Sequence, residues 1–351
     1  MLAQPLHPIV IEHGRVGDMI MLTALLSLLH RRYGKPCHVV GAGPWNDSIF
    51  LGHPDVAHCW TLPRHAPFPA TLTWLGLVRA LRRTHPGPVY VAEFMPRQTA
   101  RIKRLLAVSG IDAGRCVLID ERPGDGGHWI EALLRLGSRA PPALSAADYP
   151  LPDEWERCAP RLAILPTERA ARDAWMRDRG WTGRPVILVQ PGTARTMSSR
   201  SRKRWRQADD RSWSLENWRA LLHAIRERCP QAVLVLRGAV SELPLLREAH
   251  AAIGLPDLEI AALGLRASFA LLEAAHSMIS MDTGLAHAAA ALGLPVVVLL
   301  GSNPGSVILP RGAFGSPVIG VGGPPTFSRA AEIPVRAVFD AWCSLPMRQK
   351  E

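Results

Sequence analysis

The stretch ISMDTGLAHAAAALGLPVVVLLG, residues 279–301, places an Asp-Thr-Gly tripeptide directly behind an apolar segment. Aspartic proteases present a catalytic carboxylate in this way, but they need two aspartates brought together, and this chain has one such turn, at Asp282. The residues after it, LAHAAAAL, favour a helix, which Gly293 and Pro295 end before the apolar strand 296–300. The tripeptide is therefore predicted to form a strand-to-helix turn.

Such a turn can bind an anion. Asp282 or Thr283 can act as the N-cap of the helix, and Gly284 lets the backbone approach a ligand closely. The free amides of the first turn, together with the helix dipole, attract negative charge. Asp282 is therefore expected to fix the turn rather than to transfer protons. His287 lies about one turn inside the helix, where its ring either reaches the same anion or has a structural role.

A second turn of this kind lies near the amino terminus, in IEHGRVGDMIMLTALLSLL. The segment from His13 to Asp18 links the first strand to a strongly apolar helix. Asp18 could simply cap that helix, which requires only an acceptor. Alternatively, Gly17 and the apolar helix could hold the carboxylate at a cleft with little solvent, which suits a general base. The residues alone leave both interpretations open.

Strand and helix patterns alternate along both halves of the chain, which predicts two α/β domains with parallel sheets. Besides the two strands of the opening stretch, the pattern predicts strands at 8–12, 37–40, 89–93, 116–119, 186–190 and 232–237. It predicts helices at 16–33, 72–83, 99–109, 168–179, 215–228, 243–252, 269–275 and 335–345. Clustered prolines at 141–166 indicate the connection between the domains.

The composition is that of a globular protein without a membrane span. A chain of 351 residues is longer than a domain with a single hydrophobic core usually is. Hydrophobic residues make up 48% and charged residues make up 20% of the chain. No run reaches the roughly 18 apolar residues that a span needs, and the first residues do not resemble a secretory signal. The six cysteines form no Cys-x-x-Cys pair, so neither a zinc site nor a disulfide framework is indicated. A cytoplasmic protein is predicted.

The net charge of +11 favours anionic partners, although only four of the 41 basic residues are lysines, a bias that genome composition also produces. Residues 195–211 carry seven basic residues against two aspartates and lack an apolar stripe. They are predicted to form a surface loop at the carboxyl edge of a sheet, either a solvated excursion or a lid over an anionic ligand. A basic nucleic-acid-binding or nucleotide-binding protein without transferase activity is the alternative function.

Motifs for other nucleotide enzymes are incomplete. The segment from Gly41 to Gly43 begins a dinucleotide fingerprint, but Asn46 replaces the third glycine. A full fingerprint would have supported a nucleotide-dependent oxidoreductase. The chain also lacks a Walker loop, a His-Glu-x-x-His helix and an Asp-x-Asp pair. No metal and no cofactor are expected, so amides and basic side chains should neutralise a departing diphosphate.

Four motifs occur in the order found in one enzyme family: Gly17-Asp18, Gln190-Pro191-Gly192-Thr193, the segment WSLENW from Trp213 to Trp218, and Asp282-Thr283-Gly284-Leu285-Ala286-His287. Together they resemble the ADP-heptose:lipopolysaccharide heptosyltransferases of glycosyltransferase family 9. The resemblance implies a GT-B architecture of two Rossmann-like domains facing each other across a cleft. The implied limits are 1–160 for an acceptor domain, 161–328 for a donor domain, and 329–351 for a carboxyl-terminal helix that packs back.

The resemblance also implies roles for individual residues. Asp18 would be the general base of an inverting transfer from ADP-heptose. The implied donor-binding residues are Thr193, Lys203, Arg211, Glu242, Asp282, Thr283, Gly284 and His287. The family places a basic residue two positions before the first tryptophan of its Trp motif, which is Arg211 here, while Lys203 precedes Trp205 in the basic loop. Glu242 could accept hydrogen bonds from ribose, or it could be a solvated glutamate at a helix start.

The implied acceptor is an anionic, lipid-linked inner-core saccharide at the cytoplasmic face of the inner membrane, and nucleic acid is not an expected partner. Arg15, Arg97 and Arg101 are the predicted acceptor-binding residues. An exposed basic helix face explains the arginines that follow Glu93 equally well. Contact with the membrane surface would be peripheral.

Overall fold

The computed structural model describes residues 4–62, 72–83, 87–122, 124, 127–193, 210–312, 315 and 317–346. The chain forms two compact units, Met1–Ala163 and Ile164–Glu351. Each contains one sheet in which all pairings are parallel, with helices connecting successive strands. None of the described helices is long and apolar enough to cross a membrane.

The first unit contains a five-stranded sheet in the order β3-β2-β1-β4-β5. Its strands are β1 (Ile9–Glu12), β2 (Cys37–Ala42), β3 (Val56–Leu62), β4 (Val89–Val91) and β5 (Cys116–Leu118). Its helices are α1 (Val16–Tyr33), α2 (Asn46–Phe50), α3 (Leu72–Arg83), α4 (Pro96–Val108) and α5 (Trp129–Ser138). The chain runs outward from β1 to β3 and returns to β4 on the other side of β1. The strand order therefore reverses between β1 and β4, where ligands of open α/β sheets bind.

The second unit contains a six-stranded sheet in the order β11-β10-β9-β6-β7-β8. Its strands are β6 (Val186–Gln190), β7 (Val233–Gly238), β8 (Glu259–Ala262), β9 (Ser277–Met281), β10 (Val296–Leu300) and β11 (Val318–Gly322). Its helices are α6 (Pro166–Asp178), α7 (Leu215–Arg228), α8 (Leu243–Ile253), α9 (Leu265–Ala274), α10 (Gly284–Ala291), α11 (Gly305–Ile308) and α12 (Val335–Cys343). Here the order reverses between β6 and β9.

The central strands carry continuous apolar runs because both of their faces are covered. All residues of β6, β9 and β10 are buried, as is expected for parallel strands between two helical layers. The carboxyl-terminal helix α12 packs against α7 and β10, so it belongs to the second unit. Its Trp342 donates a hydrogen bond from Nε1 to Ser277 Oγ at 3.1 Å.

Most predicted elements are present, with ends that shift by a few residues. Helices 16–33, 72–83 and 215–228 and strand 186–190 have the predicted bounds. The helix expected at 269–275 begins earlier, at Leu265. Six of the strands and α-helices were not predicted, namely β3, β8, β11, α2, α5 and α11. The region 141–166 contains a short 3-10 turn, Trp155–Arg157, before α6 begins at Pro166.

Candidate functional site

The turn predicted from the opening stretch lies at the reversal point of the second sheet. β9 ends at Met281 and α10 begins at Gly284, so Asp282 and Thr283 form the connection. β6 and β9 are direct neighbours, with Gln190 paired to Ser280. The segment from Gln190 to Thr193 and the Asp282 turn therefore leave the sheet side by side. This is the position at which open α/β sheets bind ligands.

Neither candidate residue caps α10 through its side chain, contrary to the expectation for Asp282 or Thr283. Thr283 occupies the N-cap position with extended backbone, but its Oγ1 lies 3.2 Å from Ser280 Oγ. The carboxylate of Asp282 accepts a hydrogen bond from Asn303 Nδ2 at 3.1 Å. The first amides of α10 thus have no side-chain cap, which leaves them as donors for an anion.

Arg211 belongs to the same turn. Its Nη1 lies 3.3 Å from Asp282 Oδ2, so the guanidinium and the carboxylate form an ion pair at the end of β9. The carboxylate of the preceding residue, Asp210, accepts a hydrogen bond from Ser302 Oγ. Its backbone carbonyl accepts one from the backbone amide of Ala330 at 2.8 Å. A Cβ on Gly301 would lie 2.5 Å from the Asp210 carbonyl oxygen, so this close approach requires a glycine. These contacts hold Arg211 beside the candidate anion site.

The tryptophans of the WSLENW segment are structural. Trp213 and Trp218 are fully buried, and their rings meet edge to face with centroids 4.8 Å apart. Trp213 Nε1 donates to the Ile333 carbonyl at 3.0 Å, and Ser214 caps α7 by accepting from the Asn217 amide at 3.1 Å. The segment therefore fixes the start of α7 in the core. It also positions Arg211, which lies two residues before Trp213. Lys203, the other predicted phosphate ligand, lies outside the described residues, as do residues 195–209 of the basic loop.

Arg237, near the carboxyl end of β7, is a candidate site residue that was not predicted from the sequence. Its side chain is buried, with the residue 4% exposed. Nη1 donates to Gln190 Oε1 at 3.1 Å and Nη2 donates to Ser268 Oγ at 2.6 Å. Both partners are neutral, and among the described residues Nε has no hydrogen-bond acceptor. The signal in the sequence was a single cation in the otherwise apolar run VLVLRG.

Burial lowers the pKa of the Arg237 guanidinium to about 10, and the charge of Glu242 opposes that shift. The cation is nevertheless protonated at neutral pH. It therefore adds a positive charge beneath the carboxyl edge of the sheet, on a strand that β6 separates from the Asp282 turn. Positive charge in a site that excludes water acts more strongly on an anion than it would in bulk solvent.

The remaining predicted donor residues lie on the same edge. Glu242 accepts a hydrogen bond from the backbone amide of Ala239 at 2.7 Å and ends the 3-10 turn Val240–Glu242. A Cβ on Gly238 would lie 2.7 Å from Glu242 Oε2, so the glycine makes room for this carboxylate. Thr193 is buried just after β6, and His287 is buried on the first turn of α10.

The reversal point of the first sheet is acidic. Asp18 is the third residue of α1 and is partly buried. Its Oδ2 accepts a hydrogen bond from the backbone amide of Arg15 at 2.7 Å, as the carboxylate at the third position of a helix does in a capping box. No residue in the described ranges hydrogen-bonds to its Oδ1. One oxygen therefore orients the side chain while the other can accept a proton.

Two more carboxylates end the neighbouring strands. Glu12 is the last residue of β1 and is buried, and a Cβ on Gly14 would lie 3.0 Å from its Oε1 and 2.4 Å from Asp18 Cβ. Glu93 follows β4, is also buried, and accepts the backbone amide of Met95 at 2.8 Å. Sequence reasoning did not select Glu12 or Glu93, because each is one acidic residue at the end of an apolar strand.

The predicted acceptor arginines lie just before α1 and in the first two turns of α4. Arg15 precedes α1 and is exposed. Arg97 is exposed and Arg101 is partly buried on α4.

The side chain of Asn46 occupies the space beside Gly41 in the fingerprint-like segment, because a Cβ on that glycine would lie 2.4 Å from Asn46 Nδ2. Because Asn46 takes up this space, a dinucleotide phosphate is not expected to bind at Gly41.

Residues 128–311, more than half of the chain, match the model of the family described as "Glycosyltransferase family 9 (heptosyltransferase)". The matched range contains every predicted donor-binding residue, whereas Asp18, Arg15, Arg97 and Arg101 lie before it. No curated protein matches the chain.

Solved structures of low sequence identity share the fold. The ADP-heptose LPS heptosyltransferase II of E. coli aligns over 97% of this chain and 98% of its own, with a TM-score of 0.70 and 18% identity. A family 9 glycosyl transferase from Veillonella parvula covers 92% and 87%, with a TM-score of 0.70 and 12% identity. The E. coli heptosyltransferase WaaC with ADP covers 95% and 98%, with a TM-score of 0.67 and 17% identity. These likenesses confirm the predicted GT-B fold of two parallel-sheet α/β domains.

Proposed function

The chain belongs to glycosyltransferase family 9, the heptosyltransferase family, and from this premise we propose that it transfers a heptose from ADP-heptose to an anionic lipopolysaccharide inner-core acceptor. The transfer inverts the configuration at the anomeric carbon, and Asp18 is the general base. The observation that carries the proposal is the difference between the functional groups at the two reversal points. Carboxylates gather at the first sheet, whereas guanidinium groups and uncapped amides gather at the second.

In this mechanism the acceptor hydroxyl attacks the anomeric carbon from the side opposite the diphosphate. The new C–O bond forms as the bond between the sugar and ADP breaks, and the hydroxyl proton passes to Asp18. The bond from the Arg15 amide to Oδ2 orients the carboxylate, so that Oδ1 receives the proton. A positioned base of this kind contributes a rate factor of about 10²–10⁴.

The leaving ADP carries developing negative charge on its diphosphate. The amides at the start of α10, together with Thr283 and Gly284, are suited to receive one phosphate group. Arg211 reaches the same turn through its ion pair with Asp282, and His287 is close behind it on α10. Arg237 adds buried positive charge. Thr193 and Lys203 complete the proposed phosphate contacts, and Glu242 accepts hydrogen bonds from ribose hydroxyls.

We propose that this set of donors neutralises the diphosphate without a metal ion and that no other cofactor takes part. The described ranges contain no group of three or more His, Cys, Asp or Glu side chains arranged to hold a metal. Guanidinium groups and oriented amides supply comparable charge stabilisation at a departing phosphate. Transfer activity that persists in a chelator would agree with this part of the proposal.

The acceptor side of the proposal rests on charge. Arg15, Arg97 and Arg101 are placed near the ends of β1 and β4, beside the acidic reversal point. Guanidinium groups bind carboxylates and phosphates in bidentate fashion, which suits an anionic saccharide. Because the inner-core acceptor is linked to lipid, the protein would act in peripheral contact with the cytoplasmic face of the inner membrane.

The direct test incubates the purified chain with ADP-heptose and a delipidated inner-core acceptor and measures ADP release and the product mass. ADP binding is measured in parallel by calorimetry, with GDP and UDP as controls. Transfer with selective ADP binding supports the proposal. ADP binding without transfer to any acceptor would contradict the transferase assignment. Salt-sensitive RNA binding without selectivity for ADP would instead support the nucleic-acid alternative.

A further inference from the structure

One side of helix α3 in the first unit is exposed and carries leucines next to arginines. The helix buries its opposite side through Trp74, Leu77, Val78 and Leu81. Leu72 is 88% exposed and Leu75 is 42% exposed. Because they are spaced by three and four residues, Leu72, Leu75, Arg79 and Arg83 form one row along the helix. An apolar start and a cationic end thus share the same outward face.

Helix α4 extends this surface. Arg82 donates from Nη2 to the carbonyl of Val108 at 2.8 Å, which ties the end of α3 to the end of α4. Lys103 and Arg104 on α4 are exposed. We call the surface the α3–α4 face and define it by six residues: Leu72, Leu75, Arg79, Arg83, Lys103 and Arg104.

The cations of the α3–α4 face are not neutralised within the described part of the chain. None of the four forms a hydrogen bond or an ion pair with a described residue. Some other surface arginines are paired, since Arg135 pairs with Glu121 and Arg169 pairs with Glu273. Residues 56–111 contain eight Lys or Arg and a single acidic residue, the buried Glu93. This segment therefore supplies seven of the eleven net positive charges of the chain.

We infer that the α3–α4 face docks on an anionic phospholipid bilayer, with Leu72 and Leu75 entering the interfacial region and the four cations contacting lipid phosphates. A helix with an apolar patch and basic flanks lies in the plane of a membrane surface in this way. Basic residues next to such a surface strengthen binding to anionic lipid. The inference rests on the proposed function, because only a lipid-linked acceptor requires this contact.

Two other occupants fit less well. A second copy of the chain would present the same cations, and like charges facing each other repel. Nucleic acid would neutralise the arginines but would leave the two leucines in water. A bilayer satisfies both parts of the face, because phosphates meet the cations while hydrocarbon receives the leucines.

The first experiment measures co-sedimentation of the full chain with vesicles of phosphatidylcholine, with or without phosphatidylglycerol. We expect binding that requires phosphatidylglycerol and weakens with salt. The double variant Leu72→Ser/Leu75→Ser should lose at least about tenfold in affinity, and Arg79→Gln/Arg83→Gln should lose a similar factor. Leu51→Ser, at another exposed leucine of the same unit, and Arg247→Gln, on α8, are the matched controls. Unchanged binding of both double variants, or no vesicle binding by the wild-type chain, would overturn the inference.

A second experiment separates this inference from the proposed function. Transfer is measured once with a delipidated acceptor in solution and once with the acceptor embedded in phosphatidylglycerol vesicles. The Leu72→Ser/Leu75→Ser variant should retain turnover in solution and lose it on vesicles, whereas Asp18→Asn should lose both. If the leucine variant retains both activities, the docking surface is wrong while the transferase function stands. If the wild-type chain transfers to neither acceptor, the function itself is wrong.

Discussion

The reversal points of the two sheets occupy equivalent places in two similar α/β units, yet they present different functional groups. In the first unit, Asp18 is accompanied by the buried carboxylates Glu12 and Glu93. In the second, Arg211 and Arg237 accompany a helix that no side chain caps. An acidic site can accept a proton, and a cationic site can hold a leaving anion. The comparison indicates that the same topology can serve either half of a transfer reaction, which are proton acceptance and stabilisation of the leaving group. A few residues at the strand ends decide which of the two it serves.

The largest expected effect comes from removing the proton acceptor at the acidic site. Asp18→Asn preserves the size of the side chain and an oxygen that can accept from the Arg15 amide, but it abolishes basicity. The kcat of transfer should fall by a factor of about 10²–10⁴. The dissociation constant of ADP should stay within about twofold, because the donor residues lie in the other unit. Steady-state transfer assays and calorimetry measure the two quantities.

The matched control for this change is Asp112→Asn. That aspartate also accepts one backbone amide at the start of a turn, from Gly114 at 3.0 Å, but it lies away from the reversal point. Its replacement should leave kcat unchanged. Wild-type turnover in Asp18→Asn would remove this residue as the base. Equal loss in both variants would indicate a structural effect instead.

The next effect tests the cationic site. Arg211→Gln removes the guanidinium that pairs with Asp282 while the buried Trp213 keeps the segment in place. A charge-assisted hydrogen bond contributes about 1.5–3 kcal/mol, so ADP affinity should fall by roughly 10- to 100-fold. Adenosine lacks the diphosphate, and its affinity should not change. Arg219→Gln, at an exposed position on α7, serves as the control. Equal weakening of adenosine and ADP would show that Arg211 does not act on the phosphates.

How much the sequence predicted depends on where an element lies in its sheet. The central strands were found because burial on both faces produces continuous apolar runs. The missed strands β3, β8 and β11 are edge strands, whose partly exposed residues weaken that signal. The candidate site shows the same limit. The turns at Asp18 and Asp282 follow strong apolar strands and were recognised, whereas the polar contacts of Arg237 depend on residues distant in sequence, Gln190 and Ser268.

The smallest expected effect, from Arg237→Met, separates ligand binding from stability at the cationic site. Burial holds the pKa of Arg237 in the folded chain at about 10, below its ordinary value. Burying the protonated guanidinium therefore costs free energy of folding at neutral pH, and this cost is relieved only as the pH rises above about 10, toward the ordinary pKa of the guanidinium. Methionine removes that cost but also removes the bonds to Gln190 and Ser268, about 1 kcal/mol each.

These two contributions oppose each other, so the free energy of unfolding of Arg237→Met in urea should stay within about 1 kcal/mol of wild type. ADP affinity should nevertheless fall by about three- to tenfold, because the diphosphate loses a nearby buried cation. Adenosine affinity should be retained. Ser268→Ala, which removes one hydrogen bond but keeps the charge, should leave ADP affinity within about twofold. If ADP affinity were unchanged in Arg237→Met, the positive charge would be a feature of the core alone, and the contrast between the two reversal points would rest on Arg211 and the α10 amides.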